Sequence, residues 1–444
     1  MKPYPAYKDS GIEWIGEIPE NYVVTNLKHI CDKITDGSHF SPETQDYGIP
    51  YITVQDVKDD FIDFDNSKRI SETDYLTLKR NGCQPLEGDV LLTKDGTIGK
   101  AVVVKNKNNF AILSSLGLIR PSPAKLLPEY LRYYLTSGLN IDQMFSFIRG
   151  SALTRLTIKL IEQLLIVYPS IPEQQDIITF LDKKTSQIDA VIEKKQKQIE
   201  LLKEERTAII NHVVTKGLNP DVPMKDSGIE WLGEVPEHWE IAGLTKYLES
   251  IVDYRGKTPQ KTEEGIFLVT AKNVKNGIID YSLSQEYINT ADYEKVMSRG
   301  YPEIGDVLFT TEAPLGEVAN VDNEDIALAQ RIIKFRANKN YLDNYFLKFW
   351  LLSYSFQSDL QRYATGSTAQ GIKASKLNHL KVVLPPLVEQ ESIVSFIDTS
   401  YSETEIIIGN IQNQISLLQE YRTSLISNAV TGKIDVRNEV ELVE

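Results

Sequence analysis

The chain has 444 residues, of which 41% are apolar and 25% charged, and its formal net charge is −14. A chain of this length exceeds what one hydrophobic core fills, so two or more domains are expected, and the composition excludes a disordered or collagen-like protein. No apolar run reaches the length of a membrane span, prolines in "MKPYPAYKDSG" stand where a signal peptide carries its apolar segment, and two cysteines make no disulfide framework, so a cytoplasmic, reduced protein is expected.

The first recognisable element is a lead-in, "KDSGIEWIGEIPE", at 8–20. It returns at 225–237 as "KDSGIEWLGEVPE", identical at 11 of 13 positions. The offset of 217 persists through "YGIPYITVQDV" (47–57) against "EGIFLVTAKNV" (264–274) and "GDVLLT" (88–93) against "GDVLFT" (305–310). It becomes 216 for "YLRYYLTS" (130–137) against "FLKFWLLS" (346–353), and "EQQDIITFLD" (173–182) against "EQESIVSFID" (389–398). One adjustment by a single residue across a whole half-chain indicates a tandem duplication, and two copies are too few for a solenoid.

After each lead-in, short alternating apolar segments such as "YITVQDV", "DVLLT" and "AVVVK", broken by Gly, Asn and Asp, predict strands. An aromatic segment follows that suits a helix packed on the sheet, and prolines at 168–175 and 384–391 lead into the next helix, where a missing N–H costs little. The division in chain order is a lead-in at 1–21, a first domain at 22–168, a helical region at 169–218, a repeated lead-in at 219–238, a second domain at 239–384 and a second helical region at 385–444.

Each helical region carries a seven-residue repeat. In the first, Ile188, Lys195, Leu202 and Ile209 recur every seventh residue, as do Ile192, Ile199, Arg206 and Val213. In the second, the matching positions are Thr404, Ile411, Leu418 and Leu425, with Ile408, Ile415, Arg422 and Ala429. Six of eight positions are apolar in both, which predicts a coiled coil of about four heptads, antiparallel if the segment order is to close on itself, whose interface includes Ile192, Ile199, Leu202, Ile209, Ile408, Ile415, Leu418 and Leu425. The alternative is that each stripe packs only on its own domain. About 30 facing residues would span about 45 Å. The first helix leads through "TKGLNPDVP" into the second lead-in. The second leads through "TGKIDV", whose natural continuation is the first lead-in, so the order reads as a ring of two units with pseudo-two-fold symmetry.

Charge is unevenly placed. Residues 22–159 hold 17 Lys and Arg against 16 Asp and Glu, and residues 239–375 hold 15 against 18, so the excess acid lies in the lead-ins, helices and tail. Such helices are poor phosphate binders and good protein-binding surfaces. Signs of catalysis are lacking. "DGTIGKA" (95–101) lacks the first glycine of a phosphate loop and has Ala101 where Ser or Thr would hold Mg²⁺. The acidic residues of "GDVLLTKD" and "GDVLFTTE" are expected at strand edges and turns, and His29, Cys31 and His39 lack a second ligand pair. The chain is read as a non-enzyme that holds no metal.

The phrase "KDSGIEWLGEVPEHWE" (225–240), the ending "VTGKID" (430–435), the proline-led Glu-Gln helix starts at 173–174 and 389–390, and "DYRGKTP" (253–259) together resemble the DNA-specificity subunit of type I restriction–modification systems. The resemblance spans both halves in order. It implies an α+β chain with two similar target-recognition domains, each reading half of a split site on double-stranded DNA, separated by an antiparallel two-helix spacer. It further implies docking of two adenine-N6 methyltransferase (modification) subunits and of restriction (nuclease and translocase) subunits. S-adenosylmethionine, ATP and Mg²⁺ are then expected in those partners and no cofactor in this chain.

Specificity should lie where the halves differ. The matched loops "TDGSHFSP" (35–42) and "VDYRGKTP" (252–259) keep Asp and Pro and change the middle. The expected DNA contacts are Ser38 and His39 in the first domain, and Arg255 and Lys257 in the second, where Arg and Lys suit guanine O6 and N7. Lys94 and Glu312, after matched strand ends, and Arg149 and Thr365, before a shared Gly-Ser, form a second tier. The shared Asp36, Asp253, Pro42 and Pro259 read as structural. Two rival readings stay open: a structural adaptor joining two proteins, and a DNA reader in a methylation-only or phage-defence assembly.

Overall fold

In both copies the "KDSG" phrase closes a two-stranded hairpin, formed by Tyr7–Asp9 with Glu17–Pro19 and by Met224–Asp226 with Glu234–Pro236. The carboxylate of Asp9 accepts from the Gly11 N–H at 2.9 Å, and that of Asp226 from Gly228 at 3.0 Å, an Asx turn that orders the loop locally. Gly11 and Gly228 take φ of +73° and +68°, which a side chain would resist. Lys8 and Lys225 each donate 2.6 Å to the carbonyls of Glu20 and Glu237 across the hairpin. The letters that recur are those that make the turn and tie its arms.

This computed structural model describes residues 3–105, 108–148, 155–256, 259–366, 370–437 and 439. The chain divides into two units, Met1–Lys195 with Gln412–Glu444, and Gln196–Ile411. The segments laid out in chain order are thus regrouped in space, because the end of the chain joins its beginning.

Each unit is built on the same antiparallel sheet. In unit 1 it comprises β1 (Cys31–Asp36), β2 (Val90–Thr93), β3 (Ala101–Val103) and β4 (Leu116–Pro121), in the order β1-β4-β2-β3. Two long helices follow later in the chain: α1 (Ile171–Lys216, 46 residues) and α2 (Leu387–Val430, 44 residues). Between them lies the sheet of unit 2, with β5 (Leu248–Asp253), β6 (Val307–Thr311), β7 (Leu315–Asn320) and β8 (Ile332–Ala337) in the order β5-β8-β6-β7. A smaller sheet accompanies each. Ile49–Ile52 runs parallel to Ala111–Ile112, and Ile266–Val269 runs parallel to Ile326–Leu328. The aromatic segments are helices, Pro128–Leu135 and Asn344–Leu352, whose rings of Tyr130, Tyr134, Phe346 and Trp350 are buried in the cores.

The "GDV" phrase is explained by burial. Asp89 and Asp306 are each 1% exposed, and each forks onto an arginine of the neighbouring strand, Arg120 and Arg336. Their second task is to accept from the N–H of Leu86 and of Glu303, capping the turn before the strand. Unit 2 adds Lys334, 2% exposed, whose Nζ lies 2.7 Å from Asp306. Burial pushes the Asp306 carboxyl up, but hydrogen bonds from Arg336 and Lys334 outweigh it and hold the group below the ordinary range.

The Glu-Gln helix starts work as clamps. Gln174 accepts from Leu127 N–H at 2.9 Å and donates to the carbonyls of Lys125 and Pro169. Gln390 repeats this with Asp343 N–H, Tyr341 and Pro385. Both are fully buried. The preceding glutamates reach the lead-ins or their edge: Glu173 accepts from Asn21, and Glu389 from the indole of Trp239, the residue after the second lead-in.

Along α1 and α2 the heptad positions are the more shielded ones. Ile192, Ile199, Leu202, Ile209, Ile415 and Leu418 are half-buried, Ile408 and Leu425 are buried, and their flanking neighbours are mostly exposed. Within unit 1, Asp189 meets Arg422 and Lys195 meets Gln414, so number rises along α1 as it falls along α2. This is antiparallel pairing. Within unit 2, Arg206 meets Glu405 and stacks over Tyr401. Both readings of the stripe hold in part, because its ends also enter the domain cores, with Leu425 and Val430 in unit 1 and Ile209 and Val213 in unit 2.

The end of each long helix docks on a lead-in. In unit 1 the Tyr7 hydroxyl donates to the Gly432 carbonyl and Tyr130 to that of Val430, while a Cβ on Gly432 would come within 2.4 Å of Pro19. In unit 2, Gly217 lies against Trp239 and Pro236. Gly432 and Gly217 have φ of +72° and +80°, the left-handed ending that glycine permits. Within each unit, a helix end thus meets the lead-in that the segment order assigns to it.

Candidate nucleic-acid interface

In unit 1, β1 delivers Asp36 to the end of the sheet, and Gly37 lets the chain pass so close to Ile112 that a Cβ would meet its carbonyl oxygen at 2.2 Å. The next residue, Ser38, is 5% exposed; its N–H bonds to the Ile112 carbonyl, and its hydroxyl is spent on the backbone of Phe40. The hydroxyl expected to reach DNA faces inward. The His39 side chain is 74% exposed, with Nε2 at 3.1 Å from Asp36. Lys94 comes from the end of β2, is buried, and places Nζ 3.4 Å from the same carboxylate. Its carbonyl accepts from the Leu156 N–H, and the backbones of Asp95 and Arg155 form an isolated antiparallel bridge. Asp36 is thus a hub that orients two nitrogen-bearing side chains from different segments. Arg149 lies outside the described residues.

Unit 2 repeats the frame with other side chains. Asp253, at the end of β5, receives the fork of Arg255, with Nε at 2.9 Å from both carboxylate oxygens. Burial pushes the Asp253 carboxyl up, but the Arg255 hydrogen bonds outweigh it and hold the group below its usual range, and they raise Arg255 in turn. The Nη1 of Arg255 donates to the Ile372 carbonyl at 3.2 Å, and Ile372 N–H donates to Thr311. This last bond matches Leu156 with Lys94 in unit 1. Glu312 pairs with Gly371 and sits 2.8 Å from Nε of Arg331, and Thr365 N–H donates to Gly371 at 2.9 Å. Arg255, Glu312 and Thr365 are therefore brought together around 371–372, while Lys257 lies outside the described residues.

Sequence reading missed three contributors: the orienting role of Asp36, the guanidinium of Arg331 on Glu312, and Arg299, which donates to the carbonyls of Asp253 and Arg255 at 2.6 and 2.5 Å. The offset of 217 between Asp36 and Asp253 signalled the first; nothing local signalled the others. Chemically, both clusters hold donors and acceptors in fixed positions at a surface. Arginine N–H groups suit guanine O6 and N7 or phosphate, and a carboxylate such as Glu312 suits the cytosine amino group. Among the described residues, no group of three or more His, Cys, Asp or Glu is placed to hold a metal ion, and no helix is long and apolar enough to cross a membrane.

The family model described as type I restriction modification DNA specificity domain matches the chain twice, at residues 19–201 and 236–417. The chain belongs to the type I restriction–modification DNA specificity family. It is 26% identical over 436 residues to the putative type I restriction enzyme MjaX specificity subunit of Methanocaldococcus jannaschii, covering 95% of this chain and 96% of that protein. Identity to the type I restriction enzyme EcoKI specificity subunit of Escherichia coli is 18% over 441 residues, covering 94% of this chain and 90% of that protein. Among solved structures, a chain from work on complex assembly and conformational transition of the type I R-M system shares the fold, with a TM-score of 0.66 at 15% identity over 94% of this chain and 99% of that one. The two family matches coincide with the two copies of the sheet, and each copy carries its own cluster at the end of β1 or β5.

Proposed function

We propose that this chain is the sequence-reading subunit of a type I restriction–modification complex, each unit reading one half of a split, asymmetric DNA site. The observation that supports this most is the pairing of identical frames with different clusters. Asp36 and Asp253 occupy the same place, yet the first orients His39 and Lys94 and the second orients Arg255. A frame kept while its displayed groups change is what reading two different half-sites requires.

The helices α1 and α2 serve as the spacer and as the surface on which two adenine-N6 methyltransferase subunits dock; restriction subunits join that assembly. S-adenosylmethionine, ATP and Mg²⁺ belong to those partners, and this chain makes and breaks no bonds. Its acidic helices leave much of the phosphate contact to the methyltransferases.

The test is a genome-wide map of N6-methyladenine by long-read sequencing, with the gene present and deleted and the partner methyltransferase expressed. Loss of one split, asymmetric motif on deletion is the expected result. An unchanged map would replace this reading with that of a structural adaptor.

A further inference from the structure

We infer that Phe40 is a base-reading residue of unit 1, supplying the apolar contact to a thymine C5 methyl group in its half-site. The inference rests on the proposed DNA-reading function. Phe40 is 64% exposed and directly follows His39. Single exposed aromatics are ordinary on protein surfaces, so exposure alone carries nothing.

The backbone is what distinguishes it. The Phe40 N–H donates to Ser38 Oγ at 3.0 Å, and its carbonyl accepts from the same hydroxyl at 2.6 Å. That carbonyl also accepts from the Tyr51 hydroxyl at 3.3 Å. Ser38 and Tyr51 are 5% and 3% exposed, so two buried side chains fix the backbone of a residue whose own side chain is largely exposed. Fixing the backbone beneath an exposed ring brings no packing gain to the free chain. It lowers the ordering cost of a later contact.

Position and chemistry agree with that use. Phe40 stands beside the polar groups held by Asp36, and in the second copy its aligned position is Lys257, between the same flanking Asp and Pro. A position that changes from ring to ammonium within a constant frame suits a displayed group better than a fold-holding one. In the major groove, the apolar feature a phenyl ring can read is the thymine methyl.

The experiment uses the chain assembled with its methyltransferase subunits, as wild type, Phe40→Ala, Phe40→Leu and Ser38→Ala. Binding is measured to duplexes carrying the mapped motif, with each thymine of the first half-site replaced in turn by deoxyuridine. Phe40→Ala is expected to bind the intact site about tenfold more weakly. One deoxyuridine should weaken wild type severalfold and leave Phe40→Ala unchanged; Phe40→Leu and Ser38→Ala should lie between. Equal Tm values for the four proteins separate the effect from folding. Wild-type affinity in Phe40→Ala, a loss indifferent to every thymine methyl, or a first half-site without thymine on either strand would overturn the inference alone. Absence of any bipartite motif in the wild-type methylation map would instead remove the DNA-reading function on which it rests.

Discussion

Arg422 donates from Nε and Nη2 to the two carboxylate oxygens of Asp189, at 2.8 and 3.1 Å. Its counterpart 216 positions earlier, Arg206, reaches Glu405 at 2.6 Å, and Glu405 is the counterpart of Asp189. The two arginines that interrupt the apolar stripe therefore do so for the same reason. Each leans out of the seam to a carboxylate on the facing helix and fixes which residues lie opposite.

Asp189 is half exposed, so this bridge sets register more than it adds stability. A double-mutant cycle with Arg422→Ala and Asp189→Ala should give a coupling of about 1 kcal/mol or less in urea unfolding. The combined change Leu202→Glu and Leu418→Glu puts carboxylates in the seam itself. It should cost about 2 kcal/mol or more and abolish co-elution with the methyltransferase subunits on size exclusion.

The glutamine clamps should matter more than any surface pair. Gln174→Ala leaves the Leu127 N–H and two carbonyls without their buried partner, and Gln390→Ala does the same in unit 2. Each is expected to lower stability by about 2–3 kcal/mol, seen as a shift of the urea midpoint at unchanged slope.

Asp306 makes an acid-side prediction. Its folded pKa lies below the ordinary carboxylate value, so between the two values the unfolded chain binds a proton that the folded chain does not. Its stabilisation is complete above the unfolded pKa of about 4 and is lost as pH falls through the folded one. Asp306→Asn should flatten the pH dependence of Tm on the acid side. At neutral pH it should cost about 3–5 kcal/mol, because Lys334 stays buried without its carboxylate.

Single changes in the clusters should be read out separately in the two halves of the methylated motif. Arg255→Ala should relax one half-site by about 1–3 kcal/mol of discrimination and leave the other intact. Lys94→Ala should affect the opposite half. Sequencing the motif methylated by each variant decides it, and an effect of Arg255→Ala spread over both halves would contradict the assignment of one unit to one half-site.

What could be read from the letters was what is local or periodic. The Asx turns of "KDSG", the seven-residue stripe and the offset of 217 then 216 all lie within short windows or recur at a fixed step, so the duplication, hairpins and long helices follow from them. The meeting of each helix end with a lead-in followed as well, since it needed only the order of segments. The clusters were harder. Ser38 and Phe40 look equally plausible as displayed groups, and only the fold shows the hydroxyl turned onto the backbone and the ring turned outward. Arg299 sits 44 residues after Arg255 and meets it by folding alone. Lys94 likewise owes its place beside Asp36 to the pairing of β1 and β2 through β4.

The closure of unit 1 by Gln412–Glu444 has a consequence for synthesis. Unit 2 is one continuous stretch and can complete its core as soon as residue 411 clears the ribosome. Unit 1, begun first, must wait with the seat for Leu425, Ile426, Ala429 and Val430 open until the last helix arrives. A chain cut short between residues 411 and 425 would thus expose an apolar socket in unit 1. A ribosome that stalls late would therefore release a chain with one finished unit and one whose open core invites aggregation or proteolysis.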